Sequence, residues 1–365
     1  METSERGPVP ADEPGGDLGT GPIRDRNGAP DPDAAAPGAP PHGPPPRTGR
    51  GRAGLPLRAT LALALLTVVG GGSALLLGSG RGDPDLAAGD VAAGVYLPAR
   101  SVGEGAAAAV RAGPYTERPG PAVRRTPSGR HAPLPASRPP EAAPTAPSPP
   151  IGALFSPEDG SEPRHHCTAS VVHAPAGDLV VTAAHCVHDG GFHTRLVFAP
   201  GLHDGIVPYG LWVPTRIDVD PRWISVRDPD RDVAFLRVRR VGPAGSGAAA
   251  RDGGRIEDVT GAERIRFDAP AGRPAQLTGY PDDQDAPIGC RHPVDAASPT
   301  QLRFSCAGFP NGTSGGPMLT DLDPATGTGT LIGVIGGQDE GGDDATSYSS
   351  RLGAEVAALY RRATS

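Results

Sequence analysis

Gly312-Thr313-Ser314-Gly315-Gly316-Pro317, read together with Thr182-Ala183-Ala184-His185-Cys186 far upstream, decides how this chain is understood. A serine in a glycine-rich turn presents its hydroxyl without steric cover, and the glycines let nearby backbone N–H groups converge on a developing oxyanion. A histidine can take the serine proton, because its ordinary pKa lies close to neutral pH. Asp232, in Asp232-Val233-Ala234-Phe235-Leu236, lies between the two segments. Either segment alone reads as an ordinary loop. Together, in the order His, Asp, Ser, they nominate Ser314 as nucleophile, His185 as general base and then acid, and Asp232 as the group that holds the imidazole in the right tautomer. The backbone N–H groups of Gly312 and Ser314 are the candidate oxyanion donors.

Around these residues the sequence reads as β. Short apolar runs at Val171-Val172, Leu179-Val180-Val181, Leu196-Val197-Phe198, Val233–Val238 and Leu331–Ile335 are separated by Gly, Pro and Asp clusters. Only the end has helical spacing, with Leu352, Val356, Leu359 and Tyr360 on one face. The region from 148 to 365 holds the apolar density that a core needs, and its length suits one domain.

From about Ile151 onward the chain resembles the trypsin-like, chymotrypsin-fold serine peptidases, especially their bacterial secreted, glutamyl-endopeptidase-like branch. The matching pieces are Ile151–Phe155, Cys167–Val172, Thr182–Cys186, Asp232–Phe235, Gly279-Tyr280-Pro281 and Gly312–Pro317, in the family's order. The resemblance implies an all-β fold of two six-stranded antiparallel β-barrels with a C-terminal helix. It also implies a serine endopeptidase acting on protein or peptide substrates, with no cofactor and no metal, as a monomer. A non-catalytic protease-fold binding module displayed at the cell surface is the alternative.

The family pattern is not followed everywhere. Thr313 stands where animal trypsins carry an aspartate that pairs with a newly cut N-terminal amine, so activation of that kind is not expected. A cut after Pro150 would nonetheless make Ile151 a new N-terminus. The pocket walls are expected from Cys306–Gly312 and Val334–Gly337. Cys306–Asn311 offers no carboxylate for a basic residue, and Val334 or Ile335 stands where glutamyl-specific relatives place a histidine. Neither strict specificity is supported. The run Asp339-Glu340-Gly341-Gly342-Asp343-Asp344 lacks the spacing of an EF-hand loop and reads as a solvated charge run rather than a Ca²⁺ site.

Four cysteines, Cys167, Cys186, Cys290 and Cys306, allow three disulfide pairings. The resemblance pairs Cys167 with Cys186 across the loop carrying His185, and proximity then pairs Cys290 with Cys306. A zinc site drawn from His165, His166, Cys167, His185 and Cys186 is the rival reading. An exported chain favours disulfides.

Export is argued by Ala59–Gly78, an uncharged 20-residue run preceded by Arg47, Arg50, Arg52 and Arg58. Its length suits one helical crossing of a bilayer, and the arginines place the N-terminus inside. The expected organisation is a disordered cytoplasmic segment 1–58, a transmembrane helix or signal anchor 59–78, an Ala/Pro-rich linker 79–147 and a peptidase domain 148–365. A cleaved signal peptide, leaving a secreted enzyme, is the competing account. Within the linker, the stretch Leu86–Val110 has room for a short helix, and the prolines of 113–150 favour extended chain. All 34 basic residues are arginine, and the net charge of −7 gives no footprint for nucleic acid.

Overall fold

The computed structural model describes residues 87–124, 126–157, 161–242 and 254–365. The segments expected to be disordered (1–58) and membrane-spanning (59–78) lie outside the described residues. Among the described residues, no helix is long and apolar enough to cross a membrane.

Six strands make the first half: β1 (Ile151–Phe155), β2 (His165–Val171), β3 (Leu179–Thr182), β4 (Val197–Pro200), β5 (Leu211–Val219) and β6 (Ala234–Val241). They pair antiparallel in the order β5-β6-β3-β2-β1-β4, and Phe198 of β4 pairs back onto Trp212 of β5, closing a barrel. β1, β3 and β4 read as short, largely apolar runs because both faces are buried. Leu154, Phe198 and Leu236 join one apolar cluster, whereas their neighbours Ala153, Phe155, Val197 and Phe235 join the other. That alternation is the period of two expected of a strand.

Six further strands make the second half: β7 (Arg273–Gly279), β8 (Ile288–Ala296), β9 (Gln301–Phe304), β10 (Pro317–Thr320), β11 (Thr330–Val334) and β12 (Thr346–Ser350). Their order is β11-β10-β7-β8-β9-β12, again antiparallel. Here the expectation of a second closed barrel needs correction. No strand ladder joins β11 to β12. Ser349 Oγ accepts the Val334 N–H at 3.0 Å, where a ladder would use a main-chain carbonyl, and Gly336 N–H reaches the Tyr348 carbonyl at 3.0 Å. A side chain thus stands in the seam, and the sheet curls without closing.

The helices are α1 (Arg100–Ala112), the short α2 (Pro221–Val226) and α3 (Ile256–Thr260), and the C-terminal α4 (Ala354–Thr364). The terminal helix begins two residues later than the periodicity suggests, because Leu352 and Gly353 lie before it. It still buries Val356 and Leu359, and the Tyr360 hydroxyl donates to the His173 carbonyl at 2.8 Å.

The stretch read as a linker carries structure. Helix α1 buries Gly103, Ala106, Ala107 and Val110, one helical face, against the first barrel. Beyond it the chain runs extended but docked: Thr116–Glu117 pairs with Ile206–Val207, and Ala143–Pro144 adds to β8. Cleavage after Pro150 also finds no support, since Pro150 and Ile151 are buried and Ile151 N–H donates to the Ser148 carbonyl at 3.1 Å.

Candidate active site

Strand β3 ends at Thr182, and the buried Ala183 and Ala184 lead directly into His185. The Cys167–Cys186 disulfide, with Cα atoms 6.0 Å apart, ties this turn to β2. Asp232 follows a single 3₁₀ turn at Pro229–Arg231 and is fully buried. Its carboxylate takes three hydrogen bonds. Oδ1 accepts the His185 backbone N–H at 2.9 Å, and Oδ2 accepts both His185 Nδ1 and the Gly337 backbone N–H at 2.8 Å. The Asp232 N–H in turn donates to Ser350 Oγ at 3.1 Å, and Ser350 Oγ donates to the Pro229 carbonyl at 2.7 Å. A buried carboxylate is tolerable only with such partners.

Those bonds fix the imidazole tautomer, since Nδ1 must carry the proton it shares with Asp232 and Nε2 keeps its lone pair. Burial alone would push the His185 pKa down. The charge of Asp232 and its hydrogen bond outweigh that, and the pKa lies above its ordinary 6.5.

Ser314 sits in a turn whose carbonyls and amides alternate in use. Thr313 N–H donates to the Pro310 carbonyl at 3.2 Å, Gly315 N–H to Ile335 at 2.7 Å and Gly316 N–H to Thr313 at 2.9 Å. Gly312 N–H and Ser314 N–H have no partner among the described residues. The Asn311 carbonyl is held by Asp282 N–H at 3.0 Å, so the peptide joining residues 311 and 312 turns its N–H the other way. Gly312 adopts φ +88°, and a Cβ there would lie 2.3 Å from Asp282 N. Only glycine fits this position.

His185, Gly312 and Ser314 line one cleft of about 640 Å³. Phe309–Gly312 and Ile335 form part of its wall, as expected, while Cys306–Gly308, Val334, Gly336 and Gly337 do not. Gly341–Asp344 supplies another part. The acidic run is thus not merely solvated: Asp339, Glu340, Asp343 and Asp344 line the cleft, with Asp189 and Asp282 beside them. Arg227 crosses it, pairing with Asp189 and Glu340.

The zinc reading fails on its donors. Cys167 and Cys186 are disulfide-bonded, as are Cys290 and Cys306, and no described cysteine is free. His165 and His166 use Nε2 on the Gln284 and Cys186 carbonyls at 3.0 and 2.9 Å. Thr313, in place of an aspartate, is buried and satisfied locally by the Pro310 carbonyl at 2.6 Å. It needs no charged partner.

Thr168 and Ser350 are site residues that the sequence did not reveal, and Gly337, expected in the pocket wall, instead donates to Asp232. Thr168 Oγ1 donates to the Gly312 carbonyl at 3.0 Å and accepts the Tyr280 N–H at 2.8 Å, while Thr168 N–H holds the Ser314 carbonyl at 2.7 Å. It therefore binds the nucleophile turn to β2. The Cys167–Val172 segment carried it in plain view, but nothing in its spacing distinguishes it from a strand threonine.

No protein-family model matches the chain, and no curated protein is similar to it in sequence. Among solved structures, protease Anisep from Arthrobacter nicotinovorans is 23% identical, covers 61% of this chain and 99% of its own, and superposes with a TM-score of 0.51. Two more remote similarities are a thermostable serine protease, AL20, from an extremophilic microorganism (23% identity, 60% and 97% coverage, TM-score 0.48) and a Glu endopeptidase (17%, 65% and 98%, TM-score 0.46). The chain has the chymotrypsin-type serine-protease fold.

Proposed function

We propose that the protein is a serine endopeptidase that cleaves extracytoplasmic proteins through an acyl-enzyme. The observation that carries this reading is the 2.8 Å pairing of His185 Nδ1 with buried Asp232, in a cleft that Ser314 and two unpartnered backbone amides also line. In the proposed reaction His185 Nε2 takes the Ser314 proton as Oγ attacks the scissile carbonyl. The N–H groups of Gly312 and Ser314 receive the charge that develops on the carbonyl oxygen. The imidazolium, stabilised by Asp232, then gives its proton to the leaving amine. Water, deprotonated by the same ring, releases the acyl group and restores Ser314. Ser314 Oγ makes no hydrogen bond with His185 in the free protein, a common state before substrate closes the geometry.

The test is covalent labelling. The full chain should react with a fluorophosphonate probe, and Ser314→Ala should abolish the label. Folded protein that never labels at neutral or alkaline pH would leave a binding module in place of an enzyme.

The site of action is part of the same proposal. Two disulfides suit an oxidising compartment, and the 59–78 run would anchor the chain with the enzyme outside. In that arrangement the protein stays in the membrane fraction after a high-salt wash, which screens surface charge but not a buried helix. An N-terminus found near residues 75–82 would instead show a cleaved signal and a secreted enzyme.

A further inference from the structure

The chain between α1 and β1 does more than connect. At Ser128 and Gly129 it is clasped by one carboxylate: Asp323 Oδ2 accepts Ser128 N–H, Ser128 Oγ and Gly129 N–H at 2.8, 2.9 and 3.2 Å. The other oxygen of Asp323 is held by the N–H groups of Ala325 and Thr326 at 2.8 and 3.3 Å. Downstream, Ser137 N–H donates to the Arg291 carbonyl at 2.8 Å, and Arg291 N–H returns a bond to Ser137 Oγ at 3.0 Å. Ala143 and Pro144 then pair antiparallel with Gly289 and Ile288, and Thr145 N–H reaches the Pro287 carbonyl at 3.0 Å.

Between the clasp and β1, this strand touches the cleft wall from behind. Ala307 N–H donates to the Pro140 carbonyl at 3.0 Å, and the Ala307 carbonyl accepts Ala142 N–H at 2.8 Å. Ala307 has no other hydrogen-bond partner among the described residues. The Ala142 side chain packs on the apolar cluster that contains Cys306, Phe309 and Ile335. Directly after Ala307, Gly308 N–H is tied to the Asp344 carbonyl at 2.8 Å, and Phe309–Ser314 lines the cleft. The wall that leads into the nucleophile turn is thus gripped on one side by Asp344 and on the other by a strand from upstream of the barrel.

We propose that Pro140–Thr145 is a positioning strand for the substrate cleft, fixing Ala307 and through it the wall Phe309–Gly312, with the Asp323 clasp holding its upstream end. The inference rests on the catalytic reading of the cleft. No residue of this strand touches the reacting atoms. It acts through the wall, so its loss changes both the pocket side chains and the placement of the Gly312 amide.

The test uses the full-length protein and two variants. Ala142→Pro removes the one N–H that holds the Ala307 carbonyl. Asp323→Ala removes both accepting oxygens of the clasp, whereas Asn would keep one. Ala142→Pro should raise KM and lower kcat, together reducing kcat/KM on the order of 3- to 10-fold at a temperature well below unfolding, the range expected for one hydrogen bond. Hydrogen exchange over residues 306–312 should quicken in both variants. A merely structural role would lower the melting temperature and leave kcat/KM and that local exchange unchanged, and this result in folded Ala142→Pro would overturn the proposal. Should Ala142→Pro not fold, Asp323→Ala decides by the same two readings. Wild-type protein without turnover refutes the catalytic reading instead, and the exchange measurement still decides whether the strand holds the wall.

Discussion

Gly312→Ala tests the oxyanion geometry directly, because the structure supplies every element of the estimate. A Cβ at this position would stand 2.3 Å from Asp282 N and 2.7 Å from the Tyr280 carbonyl oxygen, both backbone atoms. Neither can swing aside as a side chain would. Bringing the nearer contact to ordinary van der Waals distance requires a shift of roughly 1 Å in a region packed at interior density. The positive φ of Gly312 adds about 1–2 kcal/mol for a residue with a Cβ. Both effects move the amide away from the narrow range of distances in which it can stabilise an oxyanion. Losing one such donor costs about 2.7–4 kcal/mol, or about 10²–10³ in kcat. The assay is steady-state kinetics on a peptide substrate, with circular dichroism confirming that the variant is folded. Gly191→Ala is the control, since a Cβ there meets nothing within 4 Å. A folded Gly312→Ala enzyme with kcat within about threefold of the control would refute the assignment of this amide to the oxyanion hole.

Three other predictions follow from named contacts. His185 has a raised pKa, so kcat/KM should climb with pH through a limb above 6.5, where the ring becomes neutral and can act as base. The ring's contribution to stability runs the other way: it is complete below 6.5 and is lost as pH rises through the folded value, a trend that chemical denaturation of wild type against Asp232→Asn would reveal. Glu263 is fully buried, and burial pushes its carboxyl up to about 8 from 4.5. The folded state therefore binds the extra proton between those values, and stability should fall as pH rises across that window; in Glu263→Gln the melting temperature should lose this slope and exceed wild type near pH 9. Thr168→Val keeps the shape of the side chain but orphans the Gly312 carbonyl and the Tyr280 N–H. It should destabilise the protein by about 1–3 kcal/mol per orphaned group and lower kcat, while Thr168→Ser restores most of both; a melting curve and a kinetic assay give the two readings.

How much of this could be read in the sequence divides along physical lines. Most strands of the first barrel were legible because they carry short apolar cores such as Leu179-Val180-Val181, Val197-Phe198 and Val233–Leu236. Ser314, Gly312, His185 and Asp232 were legible as candidates because chemistry limits which residues can do such work, and glycine at 312 is demanded by backbone space. Helix α1 was not. Its buried face is Gly103, Ala106, Ala107 and Val110, so small that its apolar signal barely rises above that of an alanine-rich linker. The docking of the proline-rich stretch was not legible either. Besides the Asp323 clasp and the Ser137 hydroxyl, its attachments are main-chain bonds to Ala307, Pro287 and Arg291, and such bonds leave little trace in the side-chain pattern. The second half failed to close for a similar reason: one serine hydroxyl, Ser349, replaces a ladder bond.

The contacts at Thr168, Gly337 and Ser350 share a position, the seam between the two halves. Asp232 belongs to the first barrel, yet one of its three hydrogen bonds comes from Gly337 of the second half. Its backbone N–H is held by Ser350, at the end of β12. Thr168, also of the first barrel, grips the carbonyls of both Gly312 and Ser314. The candidate base His185 and Asp232, which orients it, thus lie in one half and the candidate nucleophile Ser314 in the other, and short polar side chains reach across to backbone groups to set their separation. Such links are cheap to build, since a buried hydroxyl or carboxylate must find partners in any case. They are also stiff, because a main-chain group cannot change rotamer. Two bodies docked through apolar surface alone could slide by a fraction of an ångström with little loss, whereas the proposed proton transfer between His185 and Ser314 would tolerate no such slack. The polar seam therefore makes docking of the halves and alignment of the candidate catalytic groups a single event, and substitutions at Thr168 or Asp232 should disturb both together.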